Sequence, residues 1–219
     1  MKSIISLICL AICLPAYAQK GWVSLFDGKS ITGWHNYKKT TVEGWAIDQE
    51  ALTSNGKGGD LVTDKEYGDF DLQFDFKASP KGNSGVIYKV DEVMDDAHFS
   101  TYASGPEYQI IDDVNYPEKL KDVQHTGANY DINPPSKIAS KAAGEWNHGE
   151  IIIKNNKITH IVNGIKVVTY TYGDAGWQAN VAKSKFAKWP YAMAHAKGKI
   201  ALQGHGDIIA FKNIKIKEL

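Results

Sequence analysis

Apolar and polar residues alternate without a break from position 70 to 77. Phe70, Leu72, Phe74 and Phe76 are interleaved with Asp71, Gln73, Asp75 and Lys77. Successive side chains of a strand point to opposite faces, so this run predicts a half-buried strand. Residues 86–90, entered through Gly82-Asn83-Ser84-Gly85, predict another. Residues 150–154 and 157–162 flank Asn155-Asn156, and Asn163-Gly164 leads from the second run into residues 165–170. Asn-Gly between apolar runs is a strong hairpin signal, because both residues tolerate positive φ. Residues 208–211 and 214–217 predict two closing strands, and residues 178–186 the one short helix. Many short strands separated by turns predict an all-β fold, a two-sheet antiparallel β-sandwich. No linker or repeat interrupts residues 19–219, which are read as one domain.

Two predicted strands carry more than packing. Gly105-Pro106 ends a loop, and residues 107–112 then alternate, with Glu107 and Gln109 on one face and Tyr108 and Ile110 on the other. Residues 200–206 place Gln203 and His205 on one face and Leu202 on the other. Gly204 and Gly206 flank the histidine, which predicts a bend or a close backbone approach. A carboxyl and an imidazole can move protons, and amides bind hydroxyls in both directions. This combination suits a sugar site. Two long irregular regions, about 91–105 and 116–144, are further candidates for functional loops.

Composition narrows the ligands. All 25 basic residues are lysine, and they balance 25 acidic ones. Without arginine the chain lacks the usual bidentate fork for phosphates, and balanced charge leaves no basic footprint for nucleic acid. Eleven Tyr and six Trp suit a neutral, hydroxyl-rich ligand stacked on aromatic faces. Residues 1–18 read as a signal peptide: Lys2, an apolar run from Ile4 to Leu14 too short to span a membrane, and Ala16-Tyr17-Ala18 as the cleavage site. The expected location is periplasmic or secreted, with no membrane span. Both cysteines, Cys9 and Cys13, lie in that leader, so the mature chain has no disulfide and no thiol ligand. The histidines lack zinc-site spacing, so no metal and no cofactor is expected. Asp91, Asp95, Asp96, Asp112 and Asp113 keep calcium as an alternative, although no segment has the spacing of a calcium loop.

Several short motifs recur in one order along the chain: Trp22-Val23-Ser24-Leu25-Phe26-Asp27-Gly28 with Gly33-Trp34, Asp69-Phe70-Asp71-Leu72, Asn83-Ser84-Gly85-Val86, Glu107-Tyr108-Gln109-Ile110-Ile111-Asp112, Tyr130-Asp131 with Pro134-Pro135, Gly144-Glu145-Trp146-Asn147, Asn163-Gly164, Gly198-Lys199-Ile200-Ala201-Leu202-Gln203 with His205-Gly206, and Phe211-Lys212-Asn213-Ile214-Lys215-Ile216. Together they resemble the 3-keto-disaccharide hydrolase family over essentially the whole mature chain. The resemblance implies a concanavalin A-like jelly roll and cleavage of 3-keto-glycosides by C2 deprotonation, elimination and hydration. It makes Glu107 and His205 the acid/base pair, and Asn83, Lys89, Gln109, Tyr130, Asp131 and Gln203 substrate contacts. Trp146 becomes a stacking platform, and His148 and His160 alternative bases. A small-molecule carbohydrate is the expected partner, with a sugar 3-oxidoreductase as a further one. Two departures stand out: Gly204 where family members often have Asp, and Lys89 where some have Arg. A two-carboxylate glycosidase and a non-catalytic sugar-binding module are the alternative readings.

Overall fold

The computed structural model describes residues 21–219, so the leader and both cysteines lie outside the described residues. Thirteen strands and one helix are distributed over two antiparallel sheets. In chain order they are β1 (Val23–Ser24), β2 (Trp34–Asn36), β3 (Trp45–Asp48), β4 (Ala51–Asn55), β5 (Leu61–Thr63), β6 (Phe70–Ala78), β7 (Asn83–Val90), β8 (Glu107–Ile111), β9 (Asn147–Lys154), β10 (Lys157–Val162), β11 (Ile165–Thr171), α1 (Ala175–Val181), β12 (Lys199–Leu202) and β13 (Ile208–Glu218). The larger sheet runs β11-β10-β9-β6-β13-β4-β3, with β1 added to β13. The smaller runs β2-β5-β12-β7-β8. This is a β-sandwich.

The alternating run from Phe70 does form β6, between β9 and β13, with each of its phenylalanines buried. The inner faces meet through aromatic edges. Phe74 of β6 meets Tyr108 of β8 at 5.4 Å between ring centroids, and the Tyr108 hydroxyl donates to the Ile161 carbonyl at 3.0 Å. Asn155-Asn156 and Asn163-Gly164 all have positive φ and close the two hairpins, as their side chains permit.

Three elements differ from expectation. The two closing strands are one, β13, because Lys212-Asn213 is a bulge rather than a turn: the pairing with β6 slips there, and Asn213 has φ 53°. The predicted helix starts earlier and ends earlier, over Ala175–Val181. Asp174 caps it by accepting from the Trp177 amide at 2.7 Å, and a 3₁₀ turn, Lys185–Lys188, follows. The strand carrying Gln203 and His205 stops at Leu202. Gly204 explains the stop, since a Cβ there would lie 2.3 Å from the Gly59 carbonyl oxygen. Of the glycines around His205, Gly204 therefore serves a close backbone approach, and Gly206 supplies a positive φ of 99°.

The outer face of the smaller sheet positions the chemistry. Val62, Ile87, Val90 and Ala201 alternate with residues of the main core and form a second apolar cluster on that face, against which Tyr37 and Tyr102 pack. Ile87 pairs with Glu107, and Gly85 with Gln109, so the acid and the amide of β8 share this face.

Candidate active site

Glu107 opens β8 and is buried. The room for its side chain comes from Gly85 on the neighbouring strand, where a Cβ would come within 2.4 Å of the Glu107 carboxylate oxygen. Burial pushes the carboxyl up to about 8; the Asp60 charge adds to this, and Lys185 pulls the other way. At neutral pH Glu107 is therefore mainly a neutral acid, able to donate a proton.

A cavity of roughly 100 Å³ opens on this carboxyl, lined by Asn83, Tyr102, Glu107, Gln109, Tyr130, Lys185, Gln203 and His205. Gln203 continues the strand pairing one residue past β12, its amide donating to the Gly85 carbonyl at 2.9 Å. Its own carbonyl accepts from the Ser84 hydroxyl at 2.8 Å. Asn83 Oδ1 is buried and has no hydrogen-bond partner among the described residues. A buried acceptor left unpaired is costly, and a ligand hydroxyl would satisfy it. Tyr130 is held by its amide donating to the Glu107 carbonyl at 3.0 Å.

His205 stands exposed at the cavity mouth. Asp60 organises the loop that carries it: one oxygen accepts from the Gly204 amide at 3.0 Å, and the other accepts from the Thr101 hydroxyl. Lys185 enters from the 3₁₀ turn after α1, its ammonium 4.4 Å from the Tyr130 ring centroid, 5.1 Å from Phe186 and 5.6 Å from Tyr102.

The fold thus brings together six of the residues named from sequence: Glu107, His205, Asn83, Gln109, Tyr130 and Gln203. The other five lie elsewhere. Lys89 sits at a β7 irregularity with φ 57°, where the pairing with β12 slips, so strand alternation no longer aims it outward. Its ammonium is buried and donates to the carbonyls of Gly68 at 3.0 Å and Ala196 at 2.5 Å. His160 is fully buried, and burial pulls its imidazole down to about 4. The neutral ring donates from Nδ1 to the Gly127 carbonyl at 2.9 Å and accepts at Nε2 from the Tyr88 hydroxyl at 2.7 Å, which fixes it as a core group. His148 lies on the larger sheet, paired with Asp75 at 2.7 Å. Trp146 also lies there, with the Lys212 ammonium 4.1 Å from its ring. Asp131 adopts φ 61° and lines a neighbouring depression with Lys121 and Lys183.

Lys89→Met should accordingly lower stability and spare chemistry. The carbonyls of Gly68 and Ala196 lose a charged donor, which costs about 1–3 kcal/mol. The expected result is a Tm lowered by several degrees with near-normal kcat in the folded fraction. A large kcat loss at unchanged Tm would place Lys89 in the site.

Asp60, Tyr102 and Lys185 were not legible as site residues. Tyr102 falls in the first irregular loop, but nothing local distinguishes it from a packing tyrosine. Among the described residues no three His, Cys, Asp or Glu side chains converge as a metal site. Two of the loop aspartates spend their oxygens internally: Asp112 accepts the amides of Lys81, Val114 and Asn115, and Asp113 pairs with His125 and Ser140.

Residues 21–217 match the family model described as a 3-keto-alpha-glucoside-1,2-lyase-like domain. The chain belongs to this family. A 3-keto-disaccharide hydrolase from Bacteroides thetaiotaomicron is 34% identical over 94% of this chain and 81% of its own length. A crystal structure of a candidate glycosyl hydrolase from Parabacteroides distasonis superposes with a TM-score of 0.85 at 35% identity, covering 91% of this chain and 94% of that one. A second from the same organism reaches 0.72 at 29% identity, covering 90% and 99%. As a member of the 3-keto-disaccharide hydrolase family, the protein is a glycoside-cleaving enzyme. No helix of the described residues is long and apolar enough to cross a membrane.

Proposed function

We propose that the enzyme cleaves the glycosidic bond of 3-keto-glycosides by elimination and hydration in the Glu107 cavity. The observation that carries this reading is a buried, neutral Glu107 facing the same cavity as the solvent-reached imidazole of His205. A ketone at C3 acidifies the hydrogen at C2. His205 takes that proton, and the C2–H electron pair forms C2=C3 while O3 becomes an enolate. As the C3 carbonyl re-forms, C1=C2 forms and the C1–O bond breaks. Glu107 gives its proton to the departing oxygen. Water then adds its oxygen to C1, Glu107 recovers a proton, and His205 returns one to C2. Net hydrolysis results, with both groups restored. The amides of Asn83, Gln109 and Gln203 are suited to the ring hydroxyls.

The two-carboxylate alternative needs a second free carboxyl beside the first. Asp60 is the nearby candidate, but both its oxygens are engaged, by the Gly204 amide and the Thr101 hydroxyl. Such a substrate must be supplied by oxidation of a C3 hydroxyl, the role of a partner sugar 3-oxidoreductase. The leader-like residues 1–18 support export of the enzyme, with a mature chain starting at Gln19.

A matched pair of glycosides, one oxidised at C3 and one not, tests the reading. Cleavage confined to the keto form is expected. Equal cleavage of both would favour the conventional glycosidase, and binding without turnover of either a sugar-binding module.

A further inference from the structure

The elimination passes through an enolate whose charge, while it sits on O3, neither His205 nor Glu107 neutralises. When C2 loses its proton, negative charge gathers on O3, and groups aimed at such a charge supply a large share of catalysis. The chain has no arginine, and Lys89 does not line the cavity and is tied to the Gly68 and Ala196 carbonyls. Asn83, Gln109 and Gln203 are neutral. Lys185 is the cation that lines the cavity.

Its surroundings suit an anion that appears only during reaction. Among the described residues no carboxylate lies within ion-pair distance of its ammonium. The ammonium is held instead over the rings of Tyr130, Phe186 and Tyr102. Aromatic faces attract a cation without cancelling its charge, and they restrain a lysine stem that would otherwise be flexible. The backbone beneath it is fixed as well. Ser184 caps the turn by accepting from the Phe186 amide at 3.1 Å. Phe186 is buried and stacks on Tyr191 at 4.3 Å between centroids. The one carboxyl of the cavity, Glu107, carries its proton at neutral pH and leaves the ammonium unpaired.

We propose that Lys185 is a catalytic residue whose ammonium stabilises the O3 enolate formed on C2 deprotonation. This rests on the 3-keto-glycoside reading above. No bond to Lys185 forms or breaks: it stays protonated, and the negative charge that O3 gains when C2 gives its proton to His205 passes to the leaving group, where Glu107 neutralises it.

The test uses Lys185→Met and Lys185→Cys, the latter before and after alkylation with 2-bromoethylamine, which rebuilds an ammonium at nearly the original reach. The native cysteines, Cys9 and Cys13, lie in the leader, and alkylated parent enzyme controls for them. Both variants should lose about 100-fold or more in kcat on a 3-keto-glycoside, the scale of one lost charge-stabilising donor. KM should change only a few-fold and Tm little. Deuterium uptake at C2 should fall in step with kcat, because enolate formation itself is slowed. Alkylation should restore at least tenfold. The proposal is overturned by kcat within threefold of the parent, by a loss confined to KM, or by a loss that alkylation leaves unrepaired at unchanged Tm. If the Met variant melts early, the two forms of the Cys variant decide between these results. A parent enzyme that leaves 3-keto-glycosides intact defeats the underlying reading instead, independently of Lys185.

Discussion

Glu107→Gln is expected to lower kcat on a 3-keto-glycoside by about 100-fold or more, the scale of one general acid, and to stabilise the fold at alkaline pH. The two effects share one cause. Glu107 is buried, and its carboxyl is pushed from the ordinary 4.5 up to about 8. In the unfolded chain it ionises near the ordinary value. Between those limits the folded state holds a proton that the unfolded state has released. Stability therefore falls as pH rises through this window, on the order of 1 kcal/mol for each pH unit. Glutamine has the same shape and no charge to bury. The Tm gap between variant and parent should be small near pH 5 and widen toward pH 9. In the parent, loss of the Glu107 proton should impose an alkaline fall in activity centred near pH 8, and the residual activity of the variant should lack that limb. A variant less stable than the parent at pH 9, with normal turnover, would make Glu107 a structural group.

His205→Phe should produce a comparable kcat loss, about 100-fold or more, with a different stability signature. The imidazole is exposed at the cavity mouth, and the loop beneath it is held by Gly204, whose amide donates to Asp60 and whose backbone lies too near Gly59 to admit a Cβ. Replacing the side chain leaves those backbone contacts in place. Surface substitutions of this kind usually change stability by less than about 0.5 kcal/mol, so Tm should be nearly unchanged at every pH. Melting and turnover measured on the same preparations separate this from a structural histidine, which would show a lowered Tm and normal kcat per folded molecule.

Much of the sandwich was legible in the sequence, as were six of the eight residues that line the cavity, and for the strand residues the reason is that period-2 alternation survives folding. Phe70, Leu72, Phe74 and Phe76 alternate with polar residues in sequence and are buried in the structure. Glu107 and Gln109 share a face for the same reason. Where the backbone leaves the regular strand, alternation stops informing. Lys89, a substrate contact on the family resemblance, is turned away from the cavity by its positive φ at an irregular pairing and donates to the Gly68 and Ala196 carbonyls instead. Asn213 turned a predicted break into a bulge. His160 and His148 were legible as histidines, not as a core group and a partner of Asp75 on the far sheet, since only the packing of sheets decides that. Asp60, Tyr102 and Lys185 come from three separate loops. Their convergence is a tertiary fact, and Asp60 acts through backbone amides that leave no mark on composition.

The enzyme is expected to break the C2–H bond before the glycosidic bond. Turnover of a 3-keto-glycoside in deuterium oxide, followed by NMR of product and recovered substrate, tests it most directly. Deuterium at C2 of the product, absent at C2 of a non-enzymatic control and greatly reduced with His205→Phe, is the predicted result. Product released by the enzyme with full protium at C2 would contradict it.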